Sequence, residues 1–233
     1  MSRNKPLVRL TPEQLSQANS QTIFHYQNSA HDFLEGTRNH DVSQNIKALT
    51  RNFADDGPCD ILDLGCGPGR DLLSFQALGH RAVGLDGCLA FVELARKRTG
   101  CEVLHQDFLK LDLKPLAFDG VFANASLFHV PTQELERVLL ALYTCLRFNG
   151  VFFCSNPRGP DIEQFNGERY GAFLEPETWG NFVRSAGFIE LECFYRPSGL
   201  PKEQQPWLAT VWRKPRCNKG PVEAVAEPGL FKT

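Results

Sequence analysis

No two of the eight cysteines in this 233-residue chain stand at CxxC spacing, and nowhere do about 18 apolar residues run uninterrupted. The first absence argues against a zinc ribbon or a redox dithiol. Cys145 and Cys154 instead sit inside apolar runs, where a reduced thiol behaves as a small buried hydrophobe. The second absence excludes a membrane-spanning helix. The opening MSRNKPLVRLTPEQLSQ offers neither an apolar secretory core nor a small-residue cleavage site, so a soluble protein of the reducing cytoplasm is expected. Charge of one sign is also scarce. With 25 Lys plus Arg against 27 Asp plus Glu, the net charge of −2 gives no overall drive toward nucleic acid or an anionic membrane. There is no internal repeat. Hydrophobic residues at 42% and charged residues at 22% match ordinary globular usage and exclude a disordered, collagenous or coiled-coil chain.

What is present is an alternation of patterns. Residues 1–56 are polar, with short helix-like stretches at Pro12 to Ala18 and Val42 to Phe53, and read as a helical N-terminal cap. From Cys59 the periods switch between strand and helix: CDILDLGC, DLLSFQALG, RAVGLD, LAFVELARKRTG, EVLHQDF, FDGVFANASL, a helix Gln133 to Arg147, then VFFCSN. Strands alternating with helices predict an α/β fold with a doubly wound, mostly parallel sheet. RGPDIEQFNGERYGAF reads as a loop or insertion. Pro176 to Ala186 predicts a helix, and FIELECFY with WLATVWRK, joined without a helix, predicts an antiparallel hairpin at one sheet edge. The expected division is a cap at 1–56, one domain at 57–214 and a flexible tail at 215–233.

The most informative segment is ILDLGCGPGRD, where a buried strand runs into Gly65, Gly67 and Gly69 and then into a helix with Asp71 in its first turn. Glycines allow a tight bend and close approach of a ligand. The spacing is GxGxG, not the GxGxxG that seats a pyrophosphate on a helix N-terminus. Asp63 and Asp71 disfavour a diphosphate and suit a ligand carrying an ammonium or sulfonium charge. Asp86, closing the second strand, stands where a carboxylate can accept both hydroxyls of a ribose.

An acidic residue followed by GxGxG, here Asp63, Gly65, Gly67 and Gly69, resembles the first motif of the class I S-adenosylmethionine-dependent methyltransferases. The resemblance covers roughly Asp60 to Cys154. It implies a Rossmann-like seven-stranded sheet whose last strand inserts antiparallel, and S-adenosylmethionine as cofactor, with S-adenosylhomocysteine as product and no metal. Cys66, Arg70 and Gly87 would complete the glycine-loop and ribose positions. Gln106, Asp107 and Phe108 after the third strand would meet the adenine, Asp107 being the favoured contact to its amino group. Asn124, Ala125 and Ser126 would line the transfer site.

Two catalytic candidates follow. His129, near the fourth strand's end, has a side chain suited to removing an acceptor proton. In the resembling small-molecule enzymes a tyrosine of the leading helix approaches cofactor or acceptor, which points to Tyr26 beside His25. Arg158, Arg169 and Tyr170, with His25, are the acceptor-binding candidates, because a guanidinium in a cleft recognises carboxylate or phosphate. The expected acceptor is therefore a small molecule, one whose carboxylate the arginines would bind, and the expected assembly is a monomer or homodimer without nucleic acid or membrane. Other readings stay open: an RNA or protein methyltransferase dependent on a partner, a non-catalytic cofactor-binding subunit, a nicotinamide-dependent oxidoreductase, or a ligand-free turn. The chain lacks an NPPY-type or DPPY-type segment after the fourth strand, the mark of the family's DNA amino-methylating members.

Overall fold

The computed structural model describes residues 9–216. The expected tail at 215–233 lies almost wholly outside the described residues, as does Cys217. Five strands, β1 (Asp60–Leu64), β2 (Arg81–Asp86), β3 (Val103–His105), β4 (Phe118–Asn124) and β5 (Leu146–Pro157), pair in parallel. A small hairpin, β6 (Ile162–Asn166) and β7 (Arg169–Phe173), stands apart from them. β9 (Trp207–Arg213) then inserts antiparallel between β5 and the edge strand β8 (Ile189–Arg196), giving the order β3-β2-β1-β4-β5-β9-β8. The seven-stranded sheet with its antiparallel edge pair is thus as expected.

Each strand's alternation divides its side chains between two helical layers. Leu62, Leu64, Val121, Phe152 and Trp212 pack with α5 (Thr132–Cys145) and α6 (Pro176–Ser185). Ile61, Phe122, Phe153 and Val211 face the other way, against α2 (Ser43–Thr50) and Phe75 of α3 (Arg70–Ala77). α4 (Leu89–Thr99) continues this second layer, with Val92 and Ala95 meeting Leu72 and Val103.

Three local expectations are corrected. The leading helix α1 spans Pro12–Thr37, far beyond Ala18, and begins at a capping box in which Thr11 and Gln14 bond reciprocally. Its apolar period is weak because much of its inward face, with Asn19, Thr22 and Tyr26, borders a cavity instead of the core. The segment expected as a loop is the β6–β7 hairpin, turning at Gly167 with φ +63°. Gly167, first residue of the two-residue turn between Asn166 and Arg169, is the hairpin signal that finds it, and β6 lacks an apolar face because it is largely exposed. The helix expected to reach Arg147 ends at Cys145, since Leu146 already pairs with Phe118. Lys214, buried at the end of the sheet, donates to the carbonyls of Tyr143 and Leu146 at 2.8 Å each and satisfies that helix terminus.

Candidate active site

Parallel sheets bind ligands beyond the carboxyl ends of strands that leave in opposite directions. At that edge, between β1 and β4, the structure holds a cavity of about 720 Å³. β1 delivers the chain into the glycine loop. Gly65 adopts φ +76°, and a Cβ there would lie 2.4 Å from that of Ser126, so no larger residue fits. Gly67, at φ +51°, has only Phe33 within reach, at 3.7 Å, which leaves its backbone open to the cavity. Gly69 serves packing instead: it precedes α3 with φ +83°, and a Cβ would meet Thr99 at 2.8 Å and Ala95 at 3.1 Å.

The loop is tied to the tip of β2. Backbone N–H groups of Gly67 and Cys88 each donate to one oxygen of Asp86 at 2.9 Å. Asp86 borders the cavity with Gly87, and burial pushes its carboxyl up to about 6 despite those two donors. Beyond β3, Asp107, Phe108 and Leu109 continue the same wall. Asp107 accepts from the Leu109 N–H at 2.8 Å and from Asn19 of α1 at 2.7 Å. α1 thereby lies across the opening, fastened also by the Ala90 N–H to Gln27 at 3.1 Å and the Tyr170 N–H to Thr22 at 2.9 Å.

The two aspartates of the glycine segment behave differently. Arg70 closes on Asp71 with bonds of 2.7 and 3.0 Å, and Asn124 adds one of 3.1 Å. Asp71 is therefore already matched by a cation and does not stand free for a ligand's, contrary to expectation. Asp63 lies buried beneath the loop, outside the cavity wall. Its Oδ2 has no partner among the described residues, and burial, followed by the charge of Asp71, pushes its carboxyl well above the usual range.

At the tip of β4, Asn124, Ala125 and Ser126 all border the cavity, Ala125 with φ +60°. His129 follows. Its Nδ1 lies 2.6 Å from the Tyr170 carbonyl, which can only accept, so Nδ1 carries the proton. Nε2 is left to accept from the Tyr26 hydroxyl at 2.9 Å, and Arg169 donates to that hydroxyl at 3.5 Å with its guanidinium 5.9 Å above the tyrosine ring. Burial lowers His129 to about 4 and raises the Tyr26 hydroxyl above its ordinary value.

The cavity thus gathers Tyr26, Cys66, Arg70, Asp107, Phe108, His129 and Arg169 with Gly65, Gly67, Gly87, Asp86 and the β4 tip. Besides Asp63 and Gly69, which lie behind the cavity wall, four expected contacts are elsewhere. Gln106 exchanges two bonds with the backbone of Asp112, at 2.9 and 3.0 Å. His25 turns outward to Glu168 at 3.1 Å. Arg158 donates to the Lys202 carbonyl at 2.8 Å and lies over Tyr195. The Tyr170 hydroxyl donates to Glu163 at 2.6 Å, so only its carbonyl serves the site, through His129. Sequence reasoning missed Asn19, Phe33, Ser155, Arg196 and Trp207, which also border the cavity. Their signal is positional: they come from α1 and from the tips of β5, β8 and β9.

An adenosyl group with a charged amino-acid arm fits these residues. A ribose needs acceptors, which Asp86 supplies. A flat base needs the apolar wall of Phe108 and Leu109, and the arm needs the open backbone at Gly67. Residues 61–150 match the family described as "Methyltransferase domain". The chain carries a class I methyltransferase domain. The chain is 29% identical over 170 residues to the ubiquinone biosynthesis O-methyltransferase of Nitrosococcus oceani, covering 69% of this chain and 71% of that one. It is 36% identical over 118 residues to the trans-aconitate 2-methyltransferase of Enterobacter sp., covering 48% of this chain and 45% of that enzyme, less than half its length. Among solved structures, the 1,6-didemethyltoxoflavin-N1-methyltransferase of Burkholderia thailandensis, with bound 1,6-didemethyltoxoflavin and S-adenosylhomocysteine, shares the fold. The two agree with a TM-score of 0.73 at 20% identity over 90% of this chain and 94% of that one.

Proposed function

We propose that this methyltransferase acts on a small-molecule acceptor bearing a carboxylate, in a reducing, cytoplasmic setting. The observation that carries the acceptor class is Arg169. It borders the cavity, yet no carboxylate pairs with it among the described residues. A guanidinium left unmatched in a cleft favours an anionic ligand. The trans-aconitate enzyme is named for an acceptor of that charge. The seven cysteines among the described residues, all unpaired there, support the reducing setting.

When bound, S-adenosylmethionine supplies a methyl group on a sulfonium, which an electron-rich acceptor atom displaces in line. Asp86 would hold the ribose, Asp107 and Phe108 the base, and the backbone at Gly65 to Gly67 the amino-acid arm. Asn124, Ala125 and Ser126 would position the acceptor, and α1 would exclude water, so that much of the acceleration comes from orientation. His129 is neutral near pH 7, and its free nitrogen is engaged by Tyr26. The pair can therefore take up a proton only when Tyr26 yields Nε2. An acceptor that arrives ionised, as a carboxylate does, needs no such step.

The test is transfer of labelled methyl from S-adenosylmethionine to a panel of small carboxylates, amines and thiols. Methylation of carboxylate-bearing members, with KM raised tenfold or more by Arg169→Gln and kcat less affected, is the expected result. Transfer confined to neutral amines or thiols, or indifferent to Arg169, contradicts the reading.

A further inference from the structure

We infer that the tips of β5, β8 and β9 form a carboxylate-binding subsite for the acceptor, with Arg196 as its charged contact and Trp207 as its flat wall. The inference rests on the small-molecule reading above and adds the residues that would select the substrate.

Strand register assembles the subsite. Trp207 stands opposite Pro157 of β5 on one side and Arg196 of β8 on the other, while Ser155 stands beside Asn124 of β4. Because β8 runs parallel to β5, Arg196 ends at the same carboxyl edge that carries Asp86. It does so on the far side of β4, away from the β1–β2 tips where a ribose would bind. Arg196, Trp207 and Ser155 all border the cavity.

Two of these groups lack partners that a folded chain ordinarily supplies. The Arg196 Nη2 donates to the Asp41 carbonyl at 3.1 Å, but its Nε is buried with no partner among the described residues. The Ser155 hydroxyl, on a fully buried residue, is likewise unpartnered among them. The Asp41 carboxylate is near enough to favour the Arg196 charge but makes no side-chain bond to it, accepting instead from the Ser43 N–H at 2.9 Å, and Arg70 and Asp71 bind each other. Burial lowers the affinity of Arg196 for its proton, even though the carboxylates of Asp41 and Asp71 act in the opposite sense. A planar fork of N–H donors with a free Nε matches a carboxylate, and an indole edge or face beside it suits a flat carbon skeleton.

The experiment is calorimetric titration of the full chain, first with S-adenosylhomocysteine and then, once saturated, with trans-aconitate, 4-hydroxybenzoate and the uncharged 4-hydroxybenzamide. At least one acid should bind, and tenfold or more tighter than the amide. Arg196→Gln should weaken that acid tenfold or more while leaving S-adenosylhomocysteine within twofold. Should Arg196→Gln not fold, Arg196→Lys, which keeps the charge and loses the fork, should show a loss of about fivefold. Ser155→Ala removes an unpartnered hydroxyl, so it should melt no lower than the wild type and still bind the acid two- to fivefold more weakly. Three results would overturn the subsite: neither acid binds the saturated protein, acid affinity is unchanged in these variants, or Arg196→Gln weakens S-adenosylhomocysteine tenfold. If the wild type does not bind S-adenosylhomocysteine at all, it is the underlying methyltransferase reading that fails.

Discussion

At the scale of single residues the account turns on Asp86, whose carboxyl is held by two backbone N–H groups yet raised to about 6 by burial. Ribose hydroxyls donate to a carboxylate better than to a carboxylic acid. S-adenosylhomocysteine affinity should therefore be full above that value and fall as pH drops through 6, by up to about tenfold per unit. Asp86→Asn should remove this dependence and weaken binding roughly 10- to 100-fold at pH 7.5, as expected for loss of hydrogen bonds to a charged group. Calorimetry at pH 5, 6 and 7.5 reads both. His129 gives a second acid-side signature, in the fold itself. Its pKa is depressed from 6.5 to about 4, so the native state resists protonation, and stability falls as pH drops from 6.5 toward 4. Denaturant unfolding of His129→Gln should show a flatter pH profile across that window. Tyr26→Phe, which leaves His129 Nε2 without its donor, should cost about 1 kcal/mol at pH 7.

Among elements, the glycine loop separates a structural role from a ligand-facing one. Gly65→Ala forces a Cβ onto Ser126 and should lower the melting temperature sharply. Gly67→Ala meets no close atom, and its left-handed backbone costs about 1–2 kcal/mol, so the variant should fold but bind S-adenosylhomocysteine at least tenfold more weakly. A Gly67→Ala variant that binds normally would remove the loop from the site. This loop was legible in the sequence because a buried strand, three glycines and a helix start all fall within eleven residues. The parallel core was legible for the same reason, since strand and helix periods switch where the chain switches. α1 was not: Asn19, Thr22 and Tyr26 turn inward toward a cavity, so the apolar stripe that Tyr26, Ala30 and Phe33 present to Phe91 is short and weak. Arg196 and Trp207 were hidden because they lie 133 and 144 residues after Asp63, and only antiparallel insertion of β9 brings them to the same edge. Arg158 and His25 carried the right chemistry in the right segments, but a carbonyl on one side and Glu168 on the other turn them away.

Across the whole molecule, the hairpin, α1 and the strand tips converge on one cavity although they are remote in sequence. Glu163 of β6 ties the hairpin to the start of α5 through Thr132 and to Tyr170, and the Tyr170 backbone in turn meets Thr22 and His129. Ligand in the cavity would couple these elements, so amide exchange in residues 12–37 and 162–173 should slow together when S-adenosylhomocysteine is added. Slowing limited to the glycine loop would separate α1 from the site. The central claim, that this cavity holds the adenosyl group, is tested most directly by titrating the full chain with S-adenosylhomocysteine beside NAD. The account predicts micromolar binding of S-adenosylhomocysteine alone, abolished or strongly weakened by Asp86→Asn. Binding of NAD instead, or S-adenosylhomocysteine affinity indifferent to Asp86, would contradict it.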